Sequence, residues 1–200
     1  PKGERILMKT AESHTLRPSG HCDIIAPTCD TQAMRLHLVD LDNLHNGTRP
    51  TEQGMRLVRR NYARLGYGPT DLGYAAFNHA PQRRPSAAQS RAFQLQQLWS
   101  PFQVRPAQGP DGADNRLIDD AEAFLWMGNP RERFSDVIIG SGDHIFAPMA
   151  RRFRDQGLTV HVVVTSQKSL AHELRAVVNG CIWLLPTGRC LRHMRHPTTN

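Results

Sequence analysis

Short apolar runs alternate along the chain with segments in which apolar residues recur every three or four positions. The short runs, bounded by Gly, Pro, Asn or Asp, are typical of buried strands, and the longer spacing is typical of the buried face of a helix. Strands and helices that alternate in this way favour an α/β fold with a mostly parallel central sheet. We predict strands at residues 36–41, 72–77, 102–105, 137–139, 158–164 and 182–185.

Helices are predicted between these strands from the apolar positions that share one helical face. Gly66 and Gly157 each follow such a segment, at the position where a helix commonly ends. No G-x-G-x-x-G follows the first strand and no G-x-x-x-x-G-K-[ST] occurs, which excludes dinucleotide binding of the Rossmann type and P-loop chemistry. The predicted helical faces are Met55, Val58, Tyr62 and Leu65; Phe93, Leu95 and Leu98; Ala113, Leu117, Ala121 and Phe124; Phe146, Met149, Ala150 and Phe153; and residues 170–177.

The length of 200 residues suits one globular domain, which we place at residues 35–186. Residues 1–34 are polar and lack apolar periodicity, so we expect a partly disordered leader. Residues 187–200 carry arginines and histidines without an acid, which favours a basic, solvated tail. The longest apolar runs, at 162–164 and 182–185, are far shorter than the roughly 18 residues that span a bilayer, so we expect no membrane association.

Arginine supplies nearly all of the positive charge. Lys and Arg together number 25 against 18 Asp and Glu, a formal net charge of +7, and only Lys2, Lys9 and Lys168 are lysines. The planar donors of arginine suit phosphate groups, and an excess of positive charge favours a polyanionic partner. The four cysteines are spaced too widely for a zinc site and are too few for a disulfide scaffold, so we expect a reducing, cytoplasmic location.

Carboxylates lie at the ends of two predicted strands. Asp40 lies at the end of the first strand, and Asp143 follows the strand at residues 137–139. Because the carboxyl ends of parallel strands form the binding crevice of an open sheet, we expect both side chains to point to one place. Asp114 lies at the turn that opens a helix, and Asp120, six residues on, can join it only if Asp114 precedes the regular helix.

Converging carboxylates repel one another, and a hard divalent cation such as Mg²⁺ or Mn²⁺ is the common way to compensate their charge. Such a cation can activate water and stabilise the charge that develops when a phosphodiester is attacked. Each aspartate alone has a simpler explanation, because Asp after a strand often caps a helix or forms a turn. The expected convergence of Asp40 and Asp143 with Asn43 favours a shared site over three separate caps.

Three segments of the sequence resemble the NYN branch of the PIN-like ribonucleases, over about residues 35–186. They are Asp40 to Asn43, Gly112 to Asp114 with Asp120 farther on, and Ser141 to Asp143. The resemblance implies a Rossmann-like, three-layer fold and hydrolysis of RNA with a metal held by aspartates. By position in the family's motifs it implies Asp40, Asp114, Asp143 and Asp120 as metal ligands, and Asn43 and Ser141 as further catalytic residues that position them.

The sequence departs from the family pattern in two places. No lysine precedes Gly112, and the third motif reads Asp143-His144-Ile145-Phe146 where the family has a second aspartate. These departures leave open a second hypothesis, a non-catalytic module that binds RNA. For either hypothesis the arginines expected to contact RNA are Arg83, Arg84, Arg91, Arg151 and Arg152.

The segment Asp40-Leu41-Asp42 also resembles the opening motif of haloacid-dehalogenase-type phosphatases, in which one Asp attacks phosphorus. That family expects a lysine between its first and last motifs, and none occurs between Lys9 and Lys168. We therefore favour a metal-dependent ribonuclease with RNA as its partner and Mg²⁺ or Mn²⁺ as its cofactor.

Overall fold

The computed structural model describes residues 34–79 and 85–192, and of residues 85–90 and 192 it describes the backbone. Seven strands form one sheet in the order β3-β2-β1-β4-β5-β6-β7. Every neighbouring pair is parallel except β6 and β7. The strands are β1 (Met34–Asp40), β2 (Leu72–Asn78), β3 (Gln103–Ala107), β4 (Phe134–Gly140), β5 (Thr159–Val164), β6 (Cys181–Leu184) and β7 (Arg189–Arg192).

Six α-helices among the described residues connect and cover these strands. They are α1 (Leu41–Leu44), α2 (Glu52–Ala63), α3 (Pro85–Leu98), α4 (Gly112–Trp126), α5 (Ala147–Asp155) and α6 (His172–Val177). Short 3₁₀ turns occupy Pro130–Glu132, His144–Phe146 and Gln167–Ser169. No helix in the described part of the chain is long and apolar enough to cross a membrane.

The sheet has apolar cores on both faces, which makes three layers. Alternate residues of a strand point to opposite faces, so Leu36 and Leu38 of β1 pack with α4, α5 and α6. Val39 of the same strand packs on the other side, in a core that includes Tyr62 of α2 and Leu95 of α3. Asp40 has the parity of Leu38 and therefore belongs to the face covered by α4.

The strand order places a topological switch point at β1. The chain runs outward from β1 through β2 to β3, and then returns to the other side of β1 with β4. This is the order of doubly wound Rossmann sheets, in which ligands bind at the carboxyl ends of the strands beside the reversal. The ends of β1 and β4, with Asp40 and Gly140, lie at that position.

The predicted fold class and the elements inside the domain are confirmed, with shifts of a few residues at their ends. Gly66 and Gly157 follow α2 and α5 with φ of 71° and 88°, the left-handed conformation expected after a helix. The main difference lies in the predicted tail, where Arg189–Arg192 pair antiparallel with β6. Residues 1–33 and 193–200 lie outside the described part of the chain, so the expected leader and the rest of the tail are not described.

Candidate active site

Asp40 is the buried centre of the candidate site. Asp40 is the last residue of β1, and it is only 4% exposed. Oδ1 accepts hydrogen bonds from the backbone N–H groups of Asp42 and Asn43, at 3.0 and 3.1 Å, and so caps α1. Oδ2 accepts a long hydrogen bond of 3.4 Å from Oγ of Ser141. The capping role expected of a lone aspartate is therefore present, and it fixes the carboxyl group at the edge of the sheet.

Hydrogen bonds join the loop after β1 to the loop after β4. Oδ1 of Asn43 accepts from the backbone N–H of Gly142 at 3.2 Å. Oγ of Ser141 accepts from the backbone N–H of Asp143 at 3.2 Å, while its own proton is directed to Asp40. Asn43 and Ser141 thus hold the two loops, and the aspartates on them, in one arrangement.

Asp143 lies at the surface side of the site. Its Oδ1 accepts from the backbone N–H of Ile145 at 3.1 Å and caps the following 3₁₀ turn. Its side chain is 40% exposed, and Nδ1 of His144 lies 2.8 Å from the same oxygen. Asp143 is therefore accessible to a substrate, whereas Asp40 is enclosed.

Asp114 completes the group from the first turn of α4. Burial raises the pKa of Asp40 to about 8, and the charge of the neighbouring Asp114 adds to this rise. Burial also raises the pKa of Asp114, and the charge of Asp143 adds to this effect. The structure thus brings together Asp40, Asp114 and Asp143, the three carboxylates that sequence reasoning placed at one edge.

The chemistry of this group fits a divalent cation. Oδ1 of Asp114 is shielded from solvent and, among the described residues, has no hydrogen-bond partner. Like-charged carboxyl groups with an unpartnered oxygen are favourable surroundings for a hard cation with oxygen ligands. Within residues 34–79 and 85–192, however, no three His, Cys, Asp or Glu side chains already form a ready metal site.

Asp120 is not brought to this group. It lies between two arginines, with Oδ2 at 3.5 Å from Nε of Arg105 and 3.7 Å from Nε of Arg116. The reason is the start of α4 at Gly112, which places Asp114 inside the regular helix. Six residues of helix turn the side chain by about 240°, so Asp120 faces elsewhere. The prediction that it is a metal ligand is not supported by its position.

The arginines expected to contact RNA have different positions. The side chain of Arg91 is only 11% exposed, with Nη2 at 3.4 Å from Asp42 and a hydrogen bond to the carbonyl of Thr48. Its guanidinium also lies over the ring of Phe77, so Arg91 is a packed residue beside the site rather than an open surface contact.

The remaining predicted RNA contacts lie on α5 or outside the described residues. Arg151 and Arg152 are exposed on α5, and Arg152 forms an ion pair with Glu122. Arg83 and Arg84 fall outside the residues that the structure describes. Only Arg151 therefore remains, among the described members of the set, as an exposed arginine without an ion pair.

Two polar residues beside the site, Asp42 and Asn78, were not among the site residues predicted from the sequence. Oδ2 of Asp42 accepts from the backbone N–H of Asn78 at 2.6 Å, which ties α1 to the end of β2. Burial raises the pKa of Asp42, while this hydrogen bond and Arg91 oppose the rise. Asn78 ends β2 as Asp40 ends β1, so the strand-end rule that identified Asp40 would have identified Asn78 too.

The fold and the acidic edge together define a Rossmann-like domain of the PIN-like type. The chain belongs to the NYN domain family, whose model matches residues 37–185. NYN domains are PIN-like nuclease domains, so a nuclease-related role follows for this chain, and nucleases of this kind are typically dependent on divalent metals.

A solved structure of a protein of unknown function from Vibrio parahaemolyticus has a similar fold. The TM-score is 0.52 at 16% identity, and the match covers 82% of this chain and 99% of that one. At that identity the likeness concerns the fold alone. Comparison with curated proteins finds no match.

Proposed function

We propose that this protein is a metal-dependent ribonuclease that hydrolyses phosphodiester bonds of RNA. The observation that carries the proposal is the position of Asp40, buried at the switch point of the sheet and linked through Ser141 to the exposed Asp143, with the half-buried Asp114 beside it. Two carboxyl groups held close together and away from water lower the stability of the metal-free protein, and a bound cation would offset this cost. Membership of the NYN family supports RNA as the substrate.

Asp40, Asp114 and Asp143 would hold Mg²⁺ or Mn²⁺. When bound, such an ion polarises the phosphodiester and lowers the pKa of attacking water. The chain's own residues prepare the site, because Oγ of Ser141 links Asp40 to the backbone of Asp143 and Asn43 fixes the loop at Gly142. The hydrogen bonds that Oδ1 of Asp40 accepts from the backbone of α1 keep this carboxyl group oriented toward the site.

RNA would approach from the side on which Asp143 is exposed. Arg151 is exposed on α5, the helix that follows the Asp143 loop, and we propose it as a contact to the RNA backbone. Arg83 and Arg84 remain part of the proposal from the sequence alone. The packing of Arg91 against Asp42 and Phe77 assigns it to holding α3 at the edge of the site. A cytoplasmic location is part of the same proposal.

The test is cleavage of end-labelled single-stranded RNA with Mn²⁺, with Mg²⁺ and with EDTA. Asp143→Asn is the informative variant, because asparagine keeps the oxygen that caps the turn at Ile145 and removes only the charge. Asp119→Asn, on an exposed position of α4, is the matched control. We expect metal-dependent cleavage by wild type and Asp119→Asn, with a loss of at least about 100-fold in Asp143→Asn.

A second candidate function is RNA binding without hydrolysis. The observation that favours it is Ile145, which stands where the resemblance implies a second aspartate, while His144 contacts Asp143. Under this hypothesis wild type binds the labelled RNA and leaves it intact in every metal. RNA cleavage that is equally fast in wild type and in Asp143→Asn would contradict both candidates. The first assigns hydrolysis to this site, and the second allows no hydrolysis.

A further inference from the structure

Asn78 occupies the strand end next to Asp40, on the same face of the sheet. Asp40 pairs in register with Ala76 of β2, and Asn78 lies two residues farther along. Ala76 packs in the core that faces α4, and residues two apart on a strand share a face. The side chain of Asn78 therefore points to the layer that also carries Asp114.

The side-chain oxygen of Asn78 is shielded and has no hydrogen-bond partner among the described residues. It lies against the start of α4, since a Cβ added to Gly112 would come within 2.7 Å of it. The backbone N–H of Asn78 donates to Asp42, which fixes the residue in place. A shielded oxygen without a donor destabilises the folded protein, and a ligand that binds this oxygen removes the cost.

Two unpartnered oxygens are thus found at one edge of the sheet, Oδ1 of Asn78 and Oδ1 of Asp114. Gly112, which contacts the first, is two residues from Asp114, which carries the second. Asp120 faces arginines instead, so the described carboxylates at this edge supply few ligands. Hard divalent cations bind six or more oxygens, and a carboxamide oxygen adds one without adding repulsion.

We propose that Oδ1 of Asn78 is a further ligand of the divalent cation, beside Asp40 and Asp114. The inference rests on the proposed function, since it assumes the cation site. It extends that function to a residue of β2, which the family motifs in the sequence do not assign.

A competing role is the capping of α4. The residue at its N-cap, Asp111, has φ of 51° and makes no side-chain capping bond, so a neighbouring oxygen could serve the helix instead. A cap acts on the metal-free protein, whereas a ligand acts only when the cation is present. The two roles therefore differ in the readout that they change.

The experiment measures Mn²⁺ affinity by calorimetry in the full chain, together with the free energy of unfolding in EDTA. The variants are Asn78→Ala, which removes the oxygen, Asn78→Asp, which keeps oxygen ligands, and Asn115→Ala, an exposed control on α4. We expect Asn78→Ala to weaken Mn²⁺ binding by about 10-fold or more, Asn78→Asp to bind at least as tightly as wild type, and the control to be unchanged.

Equal Mn²⁺ affinity of wild type and Asn78→Ala would overturn the inference and leave the proposed function standing. Lower stability of Asn78→Ala in EDTA, restored by Asn78→Asp with no change in affinity, would overturn it in favour of the cap. Absence of Mn²⁺ binding by wild type would overturn the cation site itself.

A measurement on wild type covers the case in which Asn78→Ala does not fold. Titration with Mg²⁺ should shift the side-chain amide NMR signals of Asn78 and leave those of Asn115 in place. An unmoved Asn78 signal at saturating Mg²⁺ would overturn the assignment.

Discussion

The enclosed carboxyl group of Asp40 predicts an unusual dependence of stability on pH. In the folded, metal-free protein its pKa is raised from 3.8 to about 8, chiefly by burial and secondly by Asp114. Between those values the folded state holds a proton that the unfolded chain has released. Stability then falls as pH rises, because unfolding releases that proton.

The magnitude follows from this linkage. Each pH unit inside the window lowers the free energy of unfolding by up to about 1.4 kcal/mol. From about pH 5.5 to 7.5 the loss is therefore about 2–3 kcal/mol. Asp40→Asn carries no titrating proton, keeps an oxygen that can cap α1, and removes the repulsion with Asp114.

We therefore expect metal-free Asp40→Asn to be more stable than wild type at pH 7.5, and the difference between the two free energies of unfolding to shrink by about 2–3 kcal/mol from pH 7.5 to pH 5.5. The assay is urea unfolding in EDTA at three pH values. Because other titratable groups contribute equally to the pH dependence of both proteins, the quantity of interest is the difference between their free energies of unfolding. Asp119→Asn serves as the exposed control.

Metal provides the second half of the test. Mn²⁺ should stabilise wild type in proportion to the logarithm of its concentration and should have little effect on Asp40→Asn. A difference between the two proteins that is flat with pH, or a wild type more stable than Asp40→Asn at pH 7.5 in EDTA, would refute the reasoning.

Further predictions concern the scaffold around the site. Gly142→Ala should lower stability by about 1–3 kcal/mol and abolish cleavage, because its Cβ would press on the carbonyl of Ser169; unfolding curves and the RNA assay check both. Asp71→Asn should lower stability by about 2–4 kcal/mol at pH 7, since it leaves Arg35 without its carboxylate partner. Burial acts to raise the pKa of Asp71, but the neighbouring His37 and the hydrogen bonds from Arg35 and Gly68 outweigh it and hold the pKa below its usual range. The contribution of Asp71 to stability is therefore present at neutral pH and lost in acid. The difference in free energy of unfolding between Asp71→Asn and wild type should therefore shrink as the pH falls below about 4, and a difference that stays constant would contradict this role of Asp71.

Local patterns in the sequence predicted most of the fold, because burial on one face leaves a period in the chain. Leu117 and Ala121 of α4, for example, appear in the sequence at helical spacing and are buried in the structure. The strand order could not be predicted in this way, since it depends on contacts between distant segments. The strand at Arg189–Arg192 was missed because it has only four residues, two of them arginines, which leave almost no alternation to detect.

The site was predictable where it followed from strand ends and not where it depended on helix phase or distant partners. Asp40 and Asp143 are placed by the ends of β1 and β4. Asp120 was misplaced because its direction depends on where α4 begins. Arg91 forms its ion pair with Asp42, 49 positions away, which no local pattern reveals.

The central claim is that Asp40, Asp114 and Asp143 hold a cation that acts on RNA. The most direct measurement is a crystal structure of the protein with Mn²⁺ and a short non-cleavable RNA, with anomalous scattering recorded at the manganese edge. The account predicts a manganese peak among the three carboxylates, in contact with a phosphate oxygen of the RNA. RNA bound on another surface, with no manganese at the ends of β1 and β4, would contradict it.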